Sequence, residues 1–147
     1  PNSCVKPSLN DFAVEGRRAP VLELDKCRGC KVCQVEQCCP VHAVQVREGK
    51  VVIDPQKCLD CGVCVGKCPF GAVAKESPVR YQVYVGGTWG KTKRMGTPLS
   101  RRVEEEEIIP LIHRTIQWFK DNAQPKERLG KAIDRIGMEA FEAALFQ

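Results

Sequence analysis

No apolar run in the sequence approaches the roughly 20 residues that cross a bilayer, so no membrane span is expected. The start also lacks a basic segment followed by a short apolar one, the pattern of a secretory signal. A cytoplasmic location is the expectation. Pro1 stands where an initiator Met would, which predicts that a longer chain precedes it. Nucleic-acid motifs are missing as well, so the net charge of +5 points to anionic cofactors, substrates or acidic proteins instead. Histidine is scarce. His42 and His113 are the only two, and both read as structural residues with no metal to hold.

Cysteine is what the chain has in quantity. There are ten in 147 residues, nine of them between Cys27 and Cys68. Triplets at two-residue intervals make poor disulfide frameworks and good thiolate cages. The composition, 43% hydrophobic and 28% charged, otherwise suits a globular protein with a real core.

Three segments emerge. Residues 1–18 form a short piece that ends in a turn-like stretch around Gly16 and Pro20. Residues 19–77 contain an internal repeat, LDKCRGCKVCQVEQCCPVHAVQV against DPQKCLDCGVCVGKCPFGAVAKE. Each half reads as a short strand, a cysteine loop and a short helix opened by Pro40 or Pro69. His42 falls in the first of these helices. Between the halves, AVQVREGKVVID alternates as two strands around a turn at Glu48–Gly49. In residues 78–147 a strand carries Tyr81, Val83 and Val85 on one face. A helix is predicted from about Glu104, its first glutamates complementing the helix dipole. Ile108, Ile112, Ile116 and Phe119 form its packing face, and Pro110 predicts a late start or a kink. Two more helices follow, one from Pro125 to Gly137 and one over MEAFEAALF. Most of the surplus positive charge lies here, at Arg80, Lys91, Lys93, Arg94, Arg101 and Arg102.

The second cysteine set, Cys58, Cys61, Cys64 and Cys68-Pro69, has the spacing of bacterial ferredoxins. Three thiolates from one tight loop hold a [4Fe–4S] cubane, and the fourth cysteine serves the other cluster. Gly62 and Gly66 are small enough to let backbone amides near the cluster sulfurs. The first set, Cys27, Cys30 and Cys33, has the same spacing, but Cys38 and Cys39 follow four and five residues later. Only one of these two can be the remote ligand. Cys39 precedes Pro40 and aligns with Cys68, so Cys39 is favoured and Cys38 reads as a free thiol. Cluster one is then Cys27, Cys30, Cys33 and Cys68. Cluster two is Cys58, Cys61, Cys64 and Cys39. A zinc module or redox disulfides are the alternatives.

The flanks add a family resemblance. PNSC, then DFAVEG, YQVYVGG, a Glu-rich helix start and ERLGKAIDRIG resemble, in that order, the C-terminal part of sirohaem-dependent sulfite and nitrite reductases. A ferredoxin segment between the EG and YxVxxGG motifs resembles the anaerobic and dissimilatory-type sulfite reductases. The resemblance implies an α+β fold, with a 2[4Fe–4S] ferredoxin domain inserted into part of a reductase domain. It implies that Cys4, with Asn2 before it, belongs to a further cluster coupled to sirohaem, whose other cysteines would lie upstream of Pro1. It also implies delivery of single electrons to sirohaem for reduction of sulfite or nitrite. Partners would be the upstream part of the same reductase and an electron-donor protein. No catalytic residue of the reaction is expected within this chain. The Arg80–Arg102 surplus would line the carboxylates of sirohaem or be a solvated face. The runner-up reading is a non-catalytic electron-carrier subunit.

Overall fold

The computed structural model describes residues 6–147, and Asn2 and Cys4 lie outside the described residues. In chain order the elements are β1 (Phe12–Arg18), α1 (Gln34–Gln37), β2 (Val44–Arg47), β3 (Lys50–Ile53), β4 (Val79–Val85), β5 (Thr97–Pro98), α2 (Glu105–Asn122), α3 (Leu129–Ile136) and α4 (Met138–Leu145). The chain divides into two compact units. One is Arg17–Val79; the other joins residues 6–16 to Arg80–Gln147.

In the first unit β2 and β3 pair antiparallel, with Val44 opposite Ile53 and Arg47 opposite Lys50. Glu48 and Gly49 close the hairpin, both at positive φ (50° and 72°), the two-residue turn whose twist matches the strands. Val35, Ala43, Val44, Val51, Ala72 and Val73 form the small core, with Cys39 and Cys64 buried among them. The repeat is built differently from the expectation. No helix follows Pro40 or Pro69; both prolines sit in turns, and His42 stands in a turn at φ 51°. The short helix comes earlier, as α1 between Cys33 and Cys38. The physical cause is the two extra residues of the first loop, which give it the length for one α-turn. The corresponding stretch of the second loop, Val63–Gly66, has only a turn. The strand expected ahead of the first loop shrinks to one bridge, Leu22 with Val73.

In the second unit the sheet runs β1-β4-β5, with β4 and β5 antiparallel. β1 continues through Gly16 to Arg18, where a turn was expected, and β5 was not anticipated. Val83 and Val85 are fully buried and pack with Leu99, Val103, Leu111, Trp118, Ile133, Phe141 and Leu145. Each such side chain contributes about 1.5–3 kcal/mol by leaving water.

α2 starts at Glu105, five residues before Pro110. Glu104 and Glu107 close its N-terminus as a capping box. The helix runs on through Pro110, which has no N–H to offer the Glu106 carbonyl. Its buried residues are Leu111, Thr115 and Trp118, with Ile108 and Phe119 beside them. The packing face is therefore turned from the one expected; Ile116 is 48% exposed. Thr115 reaches burial by donating its hydroxyl to the Leu111 carbonyl at 2.8 Å. α3 begins at Leu129, not at Pro125, and ends at Gly137, at φ 107°.

The first turn of α3 rests on the end of β4, backbone to backbone. A Cβ on Gly130 would stand 2.3 Å from the Gly86 carbonyl oxygen. Replacement of Gly130 by Ala is therefore expected to cost about 1–3 kcal/mol or more, read as a lowered urea midpoint with an unchanged slope.

Candidate metal centre

Nine cysteines lie in the described residues, and all nine are free thiols. Cys39 and Cys64 are buried and the other seven half-buried. Cys58, Cys61, Cys64 and Cys39 line one apolar cavity together with Pro20, Val41, Ala43, Val44, Ile53 and Val63. Four thiols from two loops thus face one cavity, although among the described residues no three Cys, His, Asp or Glu side chains are gathered closely enough to hold a metal ion. Soft sulfur ligands in an apolar shell are the kind that suit iron–sulfur clusters. Burial pushes the Cys64 thiol up to about 11, with Cys38, Cys58 and Cys61 adding to the rise. Neighbouring thiols disfavour one another's ionisation.

Cys39 and Cys68 occupy matching surroundings. Burial raises both thiols, yet backbone amides outweigh it and leave both below the usual cysteine value. The amides come from the same four positions after each cysteine: Val41, His42, Ala43 and Val44 after Cys39, and Phe70, Gly71, Ala72 and Val73 after Cys68. The Ala43 amide donates to Cys39 Sγ at 3.2 Å. His42 and Gly71 hold equivalent places in the two turns and share positive φ, 51° and 81°. Cys38 differs. Its thiol donates to the Val35 carbonyl at 3.2 Å, and burial raises it.

On the first loop, the Val51 amide donates to Cys27 Sγ at 3.4 Å. Gly29, at φ 61°, has room for no side chain, because a Cβ there would stand 2.5 Å from the Gly49 carbonyl oxygen. The hairpin turn is thereby seated directly on the first cysteine loop. Of the two glycines read as openings for amides, Gly66 has another duty, since its N–H bonds the Ala74 carbonyl at 3.1 Å. Its φ of 72° is what requires glycine there. His42 and His113 are both exposed.

The basic residues of the second unit are largely spoken for. Arg80 pairs with Glu104, Arg101 with Glu107, and Arg94 with Asp134. Arg94 also donates to the carbonyls of Gly86 and Met95 at 3.0 and 3.1 Å, which makes it a fastening between β4 and α3. Lys93 lies over the Trp89 ring. No described helix is long and apolar enough to cross a membrane.

Paired cysteine loops on a frame of sheet and helix define an iron–sulfur electron-transfer domain. Known proteins narrow that class. The chain belongs to the nitrite and sulphite reductase 4Fe-4S domain family, whose match spans residues 1–147. It is 31% identical over 143 residues to the coenzyme F420-dependent sulfite reductase of Methanocaldococcus jannaschii, covering 96% of this chain and 22% of that protein. Against the dissimilatory-type sulfite reductase subunit beta of Archaeoglobus fulgidus the identity is 25%, over 95% of the chain and 42% of the relative. A ferredoxin of Rickettsia felis is 44% identical over 54 residues, 37% of this chain and 50% of that protein. Among solved structures, dissimilatory sulfite reductase I shares the fold, with a TM-score of 0.64 at 20% identity over 95% of this chain and 38% of that one. The chain spans half or less of the length of each of these proteins.

Proposed function

We propose that this chain is the electron-transfer portion of a sirohaem-dependent sulfite or nitrite reductase, with two [4Fe–4S] clusters in the unit Arg17–Val79. When bound, the clusters carry one electron at a time and sirohaem reduces the anion. The chain's own residues supply the cages. Cys27, Cys30, Cys33 and Cys68 would hold one cluster, and Cys58, Cys61, Cys64 and Cys39 the other. The observation that carries the reading is the cavity shared by Cys39 with Cys58, Cys61 and Cys64. The four amides wrapped around Cys39, and their counterparts around Cys68, would hold negative charge on both sulfurs without a counter-ion. An ordinary ferredoxin subunit is the competing reading. The sulfite reductases match this chain over 95% or more of its length, whereas the ferredoxin match stops at 37%, which favours the reductase. By its resemblance to the family motif, Cys4 would be one ligand of a further cluster beside sirohaem in the full enzyme, a cluster whose other cysteines are not among the ten of this sequence.

Iron and acid-labile sulfide analysis of the chain, with EPR of its reduced form, tests this. About eight irons are expected, two cubanes' worth, with no sirohaem band. Zinc in place of iron would overturn the reading, and about twelve irons or a sirohaem band would overturn the two-cluster assignment. The same assay separates the adjacent cysteines. Cys38→Ala should keep both clusters, and Cys39→Ala should fall to about four irons.

A further inference from the structure

The two cysteine loops stand at equivalent places in the repeat but differ in charge. Between Cys27 and Cys33 lie Arg28 and Lys31 with no acid; between Cys58 and Cys64 lies Asp60 with no base. Their backbones agree, with Gly29 and Asp60 at the same position and φ of 61° and 50°. The difference is therefore one of side chains on a common frame.

The surface around the first loop is apolar at its centre and cationic at its rim. Val32 is 66% exposed and Phe70 40%. The Arg28 guanidinium lies over the Phe70 ring, 4.5 Å from its centroid, which fixes its position beside the loop. Lys50 donates to the carbonyls of Leu24 and Cys27 at 3.0 and 2.9 Å, and Lys67 is exposed next to Cys68. The acids near this loop are Glu23, Asp25 and the exposed Glu48 of the hairpin turn that meets Gly29, of which Glu23 pairs with Lys26. Cys27, Cys30, Cys33 and Cys68 are only half-buried, so a cluster on them would lie near the surface. Redox encounters use small interfaces, below about 1,200 Å² in total, and rely on charge for steering.

Resting on the cluster reading above, we infer that this face is the docking surface for an acidic one-electron donor protein. Carboxylates of the donor would meet Arg28, Lys31, Lys50 and Lys67, and its apolar atoms would meet Val32 and Phe70. One electron would pass from the reduced donor to the cluster that Cys27, Cys30, Cys33 and Cys68 would hold, with no bond made or broken. The second loop carries Asp60 in place of a cation, and the cations beside it, Arg17 on the Leu59 carbonyl at 2.7 Å and Arg18 against Gly62, come from outside the loop.

The test is stopped-flow reduction of the cluster-loaded protein by the hydroquinone of an acidic flavodoxin. For the unaltered protein the rate should fall as salt is added, because exposed charges are screened. The double variant R28E/K31E should be slower by about tenfold or more at low salt. Reduction by photoexcited deazaflavin, iron content and EPR should stay as in the unaltered protein. Should R28E/K31E shed iron, R28Q/K31Q serves instead, with a smaller decrease of the same sign. A salt-independent rate would overturn the inference, as would K91E/K93E slowing the reaction while R28E/K31E does not. If the unaltered protein takes up no iron, the cluster reading itself falls and this one with it.

Discussion

Serine in place of Cys68 should leave the protein with about four irons in place of eight, and the lost cluster should be the one on the other loop. In the proposed assignment each short loop would bring three thiolates and so leave one coordination site open. Cys68 lies only four residues from Cys64, but it belongs to the repeat half whose own triplet is Cys58, Cys61 and Cys64. The thiol that lines a cavity with that triplet is Cys39, from the first half. Cys68, whose thiol the backbone amides of Phe70 to Val73 likewise lower, would then serve Cys27, Cys30 and Cys33. Double variants make the crossing visible. C30S/C68S strikes one cluster twice and should match C68S alone, near four irons, while C61S/C68S strikes both and should leave almost none. The reverse ranking of the two doubles would show that each loop closes on its own fourth cysteine.

Phe141→Ala should produce the largest loss of stability, about 3–5 kcal/mol. Phe141 is 0% exposed and is the largest fully buried side chain of the chain's described residues. Its ring meets Trp118 edge to face, with centroids 4.7 Å apart and planes at 81°. Such pairs add about 0.5–1.5 kcal/mol beyond area burial. The residue links α4 to α2 within a core that also takes in Ile133 and Leu145, so the void left by Ala has walls on three helices. Partial collapse lowers the cost and a rigid void raises it. A denaturant midpoint lowered by less than the equivalent of about 1 kcal/mol would mean the three helices can close over the void, contrary to their packing here. The near-UV signal of Trp118 should change in the same variant, because its ring loses its neighbour.

Much of this was legible in the residue order. The cysteine spacing, the Glu48–Gly49 hairpin, the Tyr81–Val85 strand and the helix over MEAFEAALF all stand on local chemistry, and local chemistry is visible in a single sequence. What escaped depends on partners distant in the chain. β1 runs through Gly16 because β4 offers it backbone hydrogen bonds, and no pattern within DFAVEGRR announces that neighbour. β5 is two residues long and exists only because Tyr84 and Val85 lie across from it. The face of α2 was misjudged by about one helical position. Ile112 and Ile116 look like packing residues, but the buried ones are Leu111, Thr115 and Trp118. A threonine in that set disguised it, since its satisfied hydroxyl is invisible to a count of apolar residues. In the repeat, proline at positions 40 and 69 suggested helix starts. The turns after Cys39 and Cys68 instead pass through left-handed residues, His42 and Gly71, that bend the amides back onto the sulfur.

β1 and β4 are hydrogen-bonded neighbours in the sheet, although the whole cysteine-rich unit lies between them in sequence. To the sheet, that unit is merely the connection of two adjacent strands. The entropy of closing a connection grows only with the logarithm of its length, each doubling costing about 0.6 kcal/mol. A host sheet of this kind can therefore acquire, exchange or lose an entire electron-carrying module at the same two cut points while its own strand pairing is conserved. Replacing the stretch between β1 and β4 with a short turn is the most economical way to ask what the rest of the chain does without the cysteine-rich unit.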